Sequence, residues 1–297
     1  MFESSNQINR MKKDETKEKV GETTTKTEET VNTEVPKKDE ATVTLEVIPD
    51  VIPKVTQEVV DEKLTYDINT RFEFLEKLTK MVAKKKTESL IVTGEGGLGK
   101  TFTVEKVVKK SLKSKKIHIV KGYSTPRALY NILYDNNGKL IVFDDCDSIL
   151  ENNVSLNILK SALDSYDTRQ ITWATQMRKG DMYPQTFIFR GQIIFISNKK
   201  RTKINQAIAS RSMVVDLSMT KDEKIERMKA VLKKVLPKVS MKAKKQSISL
   251  IEKHKEEIVD LNFRTLIKVA KIRDSYPKKW EELATYAMFE GNDLEAI

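Results

Sequence analysis

Residues 89–101 read SLIVTGEGGLGKT, and this stretch decides the fold. Ser89 to Thr93 is a short apolar run of the kind that forms a buried strand. Gly94-Glu95-Gly96-Gly97-Leu98-Gly99-Lys100-Thr101 follows and matches G-x-x-x-x-G-K-[ST] in full. Phe102 to Leu112 continues as an amphipathic helix, so the motif sits between strand and helix, the context it requires. The glycines let backbone N–H groups point inward around phosphates without Cβ clashes. Lys100 brings a positive charge to the same oxygens, the Thr101 hydroxyl is a magnesium ligand, and the helix N-terminus adds its dipole. The expected cofactors are therefore ATP and Mg2+, with Gly94 through Phe102 around the nucleotide. The alternative is a glycine-rich turn of purely structural origin.

Working outward, apolar strands are predicted at 116–120 (KIHIV), 140–143 (LIVF), 192–197 (QIIFIS) and 213–217 (MVVDL). Helical spacing occupies 71–84, 125–134 and 154–163 between them. This alternation predicts an α/β fold, a P-loop parallel sheet sandwiched by helices. Residues 170–175 (QITWAT) and 186–189 (TFIF) flank a polar turn and predict a β-hairpin insertion before the fourth core strand. After Thr220 the chain becomes Lys-rich and helical, which predicts a C-terminal helical lid whose first helix, 221–236, stops before Pro237. Residues 1–62 hold few large apolar side chains and are expected to be a disordered polar tail. Within it, IPDVIPKVTQEVV (48–60) is a candidate short docked strand or partner-binding peptide, or a plain tether. The expected domains are thus 1–62, 63–219 and 220–297.

The chain of 297 residues carries a net charge of +11, unevenly spread. The first sixty residues hold 9 basic and 13 acidic groups, a balance of −4, which leaves +15 on the rest. A basic body attracts nucleic acid through phosphate neutralisation. The alternative is the Lys-rich surface that an AT-biased genome produces. A single cysteine, Cys146, excludes an intrachain disulfide and suits a reducing compartment. No run approaches a membrane span, so a cytoplasmic protein without membrane contact is expected.

Asp144 and Asp145 follow the LIVF strand. A carboxylate there can hold magnesium's water shell and a second can orient the attacking water. Asp144 is assigned to the metal with Thr101, and Asp145 to the water. Asp147 reads as a helix cap or a solvated residue, and Cys146 as a packing residue rather than a nucleophile.

Taken with GEGGLGKT, the IVFDD strand, the FISN strand end, the SRS triplet and NFRTL make the chain resemble an AAA+ ATPase over about 66–272. The resemblance implies that Asn198 senses the γ-phosphate. It implies that Arg211 is a finger reaching a neighbour's nucleotide, and that Arg264 contacts nucleotide in cis from the lid. It further implies a homo-oligomeric ring. Asp145 stands where the family usually has Glu, one methylene longer, which points to slow or activated hydrolysis. A paired Asp also occurs in superfamily 3 helicases, and their pore-lining hairpin makes Trp173, Arg178 and Lys179 candidate DNA contacts, with Tyr183 nearby. Core packing of Trp173 is the alternative. Lys199, Lys200, Arg201 and Lys203 form a second basic run that can meet DNA or an acidic neighbour. The leading expectation is an oligomeric ATPase acting on DNA, of viral or mobile-element origin and so in the host cytoplasm. The alternatives are a protein-remodelling ATPase, with partners recruited by the tail, and a nucleotide-dependent switch with little turnover.

Overall fold

A computed structural model describes residues 66–174 and 182–289. The tail expected at 1–62, the hairpin tip with Arg178 and Lys179, and the last eight residues lie outside the described residues.

Five parallel strands form the central sheet: β1 (Ser89–Thr93), β2 (Ile117–Lys121), β3 (Leu140–Asp144), β6 (Gln192–Ile196) and β7 (Met213–Asp216). Their spatial order is β2-β3-β6-β1-β7. Every residue of β1, β3 and β6 is buried, as continuous apolar runs covered on both faces require. The strand alternation sends Leu90, Val92, Val142 and Ile194 into one layer, packed with α1 (Ile68–Ala83) and α2 (Lys100–Ser111). Ile91, Ile141, Phe143 and Phe195 face the other layer, where α3 (Pro126–Asp135) and α5 (Asn153–Ala162) lie. The short α4 (Asp147–Glu151) follows β3 directly.

The insertion is a two-stranded antiparallel hairpin, β4 (Arg169–Thr172) with β5 (Thr186–Phe189). Its base is pinned by Arg169, which is 7% exposed. The guanidinium donates to Ala162 O and Gly191 O, both at 2.9 Å, and pairs with Glu88 at 2.8 Å. Arg169→Ala leaves two buried carbonyls without donors, so a loss of about 2–3 kcal/mol is expected. Urea unfolding checks it: an unchanged midpoint would contradict this account.

Trp173 is the one described member of the three candidate DNA contacts. Its ring packs partly buried against the core, 5.9 Å from the Tyr130 ring. This is the contact that the packing alternative expects. Tyr183 is similarly engaged, through its ring with Tyr134 and its hydroxyl with Asp135.

After a short α6 (Gln206–Ala209) and β7, four helices make the lid: α7 (Lys221–Val231), α8 (Met241–Lys253), α9 (Phe263–Ser275) and α10 (Trp280–Phe289). Ile225, Met228, Ile251, Leu266, Val269 and Ala284 form a separate apolar core there. α7 opens on a capping box, Thr220 with Glu223, and ends at Val231 rather than at 236 as the sequence suggested. Pro237 disfavours helix at the residue before it, and the chain leaves the helix earlier through tight turns, with the Lys234 N–H donating to Val231 O at 2.8 Å and Leu236 at φ +50°. Arg71 of α1 donates to Ser218 O at 2.7 Å and pairs with Glu223. Arg227 of α7 stacks 3.7 Å from the Phe72 ring centroid. Among the described residues no helix is long and apolar enough to cross a membrane.

Candidate nucleotide site

The loop leaves β1 at Gly94, whose φ of +125° suits glycine alone. A Cβ there would stand 2.8 Å from the Leu217 carbonyl carbon, so the turn can pass close to β7's end only without a side chain. Gly97, at φ +73°, likewise leaves room for Asn262, whose side chain would lie 3.0 Å from an added Cβ. Gly99 precedes α2 in the left-handed region, and Lys100 and Thr101 occupy the helix's first turn.

Two strand ends, those of β3 and β6, deliver the remaining groups to this loop. Thr101 Oγ1 donates to Asp144 Oδ1 at 2.7 Å. Lys100 Nζ donates to Gly94 O at 2.6 Å, Glu95 O at 2.7 Å and Asn198 Oδ1 at 2.9 Å. Asn198 Nδ2 in turn donates to Asp145 Oδ1 at 2.8 Å. Lys100, Asn198 and Asp145 are therefore one hydrogen-bonded line, with the Thr101–Asp144 pair beside it. A hydroxyl and a buried carboxylate together suit Mg2+, which takes hard oxygen donors and keeps several waters. When bound there, the ion would neutralise charge on the phosphates. Asp145 is exposed, at φ +55°, and its backbone N–H is held by Ile196 O at 3.0 Å. Asp147 does not cap its helix; its carboxylate accepts from Ser197 Oγ at 2.6 Å, at the end of β6. Cys146 is 3% exposed and burial pushes its thiol up to about 11, which suits packing and not nucleophilic attack.

Burial also holds the Lys100 ammonium down to about 8, against the opposing pull of Asp145 and Asp144. Bound phosphate oxygens favour the charged lysine, so binding above pH 8 must take up a proton. ATP affinity is expected to fall as pH rises through 8, by at most about tenfold per unit. Calorimetric titration between pH 7 and 9 reads this directly. The slope should vanish in Lys100→Arg, whose guanidinium keeps its proton throughout.

Three groups near the loop escaped the sequence reading. Lys121 ends β2 with Nζ 3.2 Å from Asp144 Oδ2. The signal for it was its position at the end of the strand paired with β3, legible only once that pairing is known. Asn262 is 2% exposed and caps α9, while the Phe263 N–H donates to Gly97 O at 3.0 Å. Lys224 of α7 pairs with the Glu95 carboxylate across 129 residues of sequence. The lid thus meets the phosphate loop directly. Between them lies a cavity of about 350 Å3, lined by Phe72, Leu98, Gly99, Phe102, Arg227 and Phe263 among others. Its size and apolar walls suit a nucleoside. Arg264 sits exposed in the first turn of α9, two residues beyond Asn262.

Arg211 lies elsewhere. Its carbonyl accepts from Ser89 Oγ at 3.2 Å, at the start of β1, whereas the loop begins beyond that strand's other end. At ~3.3 Å per residue this is roughly 15 Å from the chain's own phosphate loop. Its Nη1 donates to Ala207 O at 2.9 Å, and its buried Nε has no hydrogen-bond partner.

Strand order, loop and strand-end acids together define a P-loop α/β protein with a helical lid. Comparison with known proteins adds the following. No family model matches the chain. It is 27% identical over 250 residues to an uncharacterised 36.7 kDa protein of the nrdC–mobD intergenic region of Enterobacteria phage T4, covering 75% of each chain. The RuvB Holliday junction branch migration motor of Thermotoga maritima is 16% identical, with TM-score 0.38, over 69% of this chain and 68% of that one. A DNA polymerase III gamma subunit-related protein of the same organism is 13% identical, with TM-score 0.37, over 68% and 58%. Likenesses so distant leave the reading to the site's own geometry.

Proposed function

We propose that this chain is a Mg2+-dependent ATPase that works as a homo-oligomer on DNA. The observation that carries the ATPase half is the line from Lys100 through Asn198 to Asp145, beside the Thr101–Asp144 pair. On this reading the loop backbone and Lys100 hold the phosphates, Phe102 and the cavity walls hold the nucleoside, and Arg264 reaches the nucleotide from the lid. Asn198 sets the distance between the γ-phosphate and Asp145, which orients the attacking water. Arg211 acts on the neighbouring subunit's nucleotide. The working division is a nucleotide-binding domain at 63–219 and a lid at 220–297, with the tail of 1–62 available to protein partners.

The DNA half rests on charge. The chain beyond residue 60 carries +15, and Lys200, Arg201 and Lys203 are exposed just past Asn198. Lys199 pairs instead with Glu151. Arg178 and Lys179 of the hairpin tip belong to the same proposal. The phage relative supports a phage-borne protein acting in the host cytoplasm.

A second reading is a nucleotide-dependent switch. It is favoured by Asp145, a short carboxylate already engaged with Asn198. Steady-state hydrolysis across protein concentration, with and without single- and double-stranded DNA, tests both, with Lys100→Ala as the blank. Rates per subunit should rise with concentration and with DNA. Indifference to DNA points to protein remodelling, and a rate at the blank leaves only the switch.

A further inference from the structure

The phosphate loop carries an acid of its own. Glu95 is its second residue, and its backbone carbonyl accepts from Lys100 Nζ at 2.7 Å. Its side chain turns away to pair with Lys224 of α7. A carboxylate in a loop that receives phosphates is a repulsive element unless a cation answers it. Lys224 is that cation, and it is well placed to be specific: the residue is only 8% exposed, enclosed as the lid docks. It belongs to a rigid element, since α7 is fixed by its capping box and by the apolar lid core around Ile225 and Met228. The ion pair therefore exists only while α7 is seated on the loop.

We propose that Lys224 and Glu95 form a charge latch that retains nucleotide: the seated lid neutralises the loop's carboxylate, and lid opening leaves that charge facing the phosphates. A ligand shifts a conformational equilibrium only through different interactions with the two states, and the latch supplies that difference. By reciprocity, bound nucleotide favours the seated lid as much as the seated lid favours nucleotide. The inference rests on nucleotide binding at the loop. Glu95 is more than half exposed, so the effect is screened by salt and modest in size.

The test is the dissociation rate of a fluorescent N-methylanthraniloyl-ADP with Mg2+, chased with unlabelled ADP in low salt. Lys224→Met should release it roughly fivefold faster than wild type. Glu95→Gln removes the repulsive charge, so in that background Lys224→Met should no longer accelerate release. The double variant should behave like Glu95→Gln alone, a sign-specific coupling that lid packing does not produce. Lys224→Arg should restore retention, and the Lys224→Met effect should fade near 1 M salt. The latch is overturned if Lys224→Met releases at the wild-type rate, or if it still accelerates release in the Glu95→Gln background. Wild type that fails to bind the analogue better than Lys100→Ala would instead overturn the nucleotide reading itself. Circular dichroism of each variant separates these outcomes from misfolding.

Discussion

Arg211→Ala is expected to lower ATP turnover per subunit about 10³–10⁵-fold while nucleotide affinity barely changes. The asymmetry follows from position. Arg211 is anchored at the start of β1, roughly 15 Å along that strand from its own loop, so little contribution to nucleotide binding within the same subunit is expected. One bond, to Ala207 O at 2.9 Å, holds its guanidinium, and its Nε is buried with no partner. A cation so lightly held is available to an incoming neighbour, where it would stabilise charge on the transferring phosphoryl. The decisive assay mixes two inactive proteins. Lys100→Ala subunits keep the arginine but lack the loop lysine, and Arg211→Ala subunits keep the loop. If the arginine works across a subunit boundary, the mixture hydrolyses ATP although neither component does. A mixture as inactive as its parts would remove the trans assignment.

The second large effect is on binding. Lys100→Ala should weaken ATP affinity on the order of 10²–10³-fold, the worth of one or two charge-assisted hydrogen bonds in a desolvated site. Calorimetry with MgATP measures it. Thermal stability should change far less, because two costs oppose one another. Removing the lysine strands Gly94 O, Glu95 O and Asn198 Oδ1, yet it also relieves a buried ammonium whose pKa is already held near 8. A large drop in melting temperature would mean that the lysine is structural, and the affinity result would then need the Lys100→Arg variant beside it.

Much of this architecture is legible in the sequence. Gly94 to Thr101 declared the loop because its chemistry is local: glycines, lysine and threonine must be neighbours in sequence to surround one phosphate group. Asp144 and Asp145 stand out in the sequence as adjacent acids directly after a fully apolar strand. Asn198 needed the resemblance, because an asparagine at a strand end is an ordinary turn residue until the adjacent strand is known to carry the loop. β6 pairs with both β1 and β3, so Asn198 lies between Lys100 and Asp145, and that adjacency has no trace in residue spacing. Trp173 shows the same limit: its contact with the Tyr130 ring, more than forty positions earlier, has no trace in the local sequence.

What the sequence by itself determined is the phosphate cradle, the parallel α/β sheet around it, the hairpin insertion and the helical lid. Each of these is written in short-range patterns: a motif of eight residues, apolar runs of strand length, and helical spacing. What only the tertiary structure decided is which distant groups meet at that cradle. Lys224 reaches Glu95 across 129 positions, Lys121 reaches Asp144 through strand pairing, and Asn262 fills the space that Gly97 leaves. Lysine and asparagine are common here and carry no pattern that distinguishes these copies from others. Their partners are chosen by packing of the lid against α1 and by strand order, which are collective outcomes of burying three apolar cores and not properties of any local stretch.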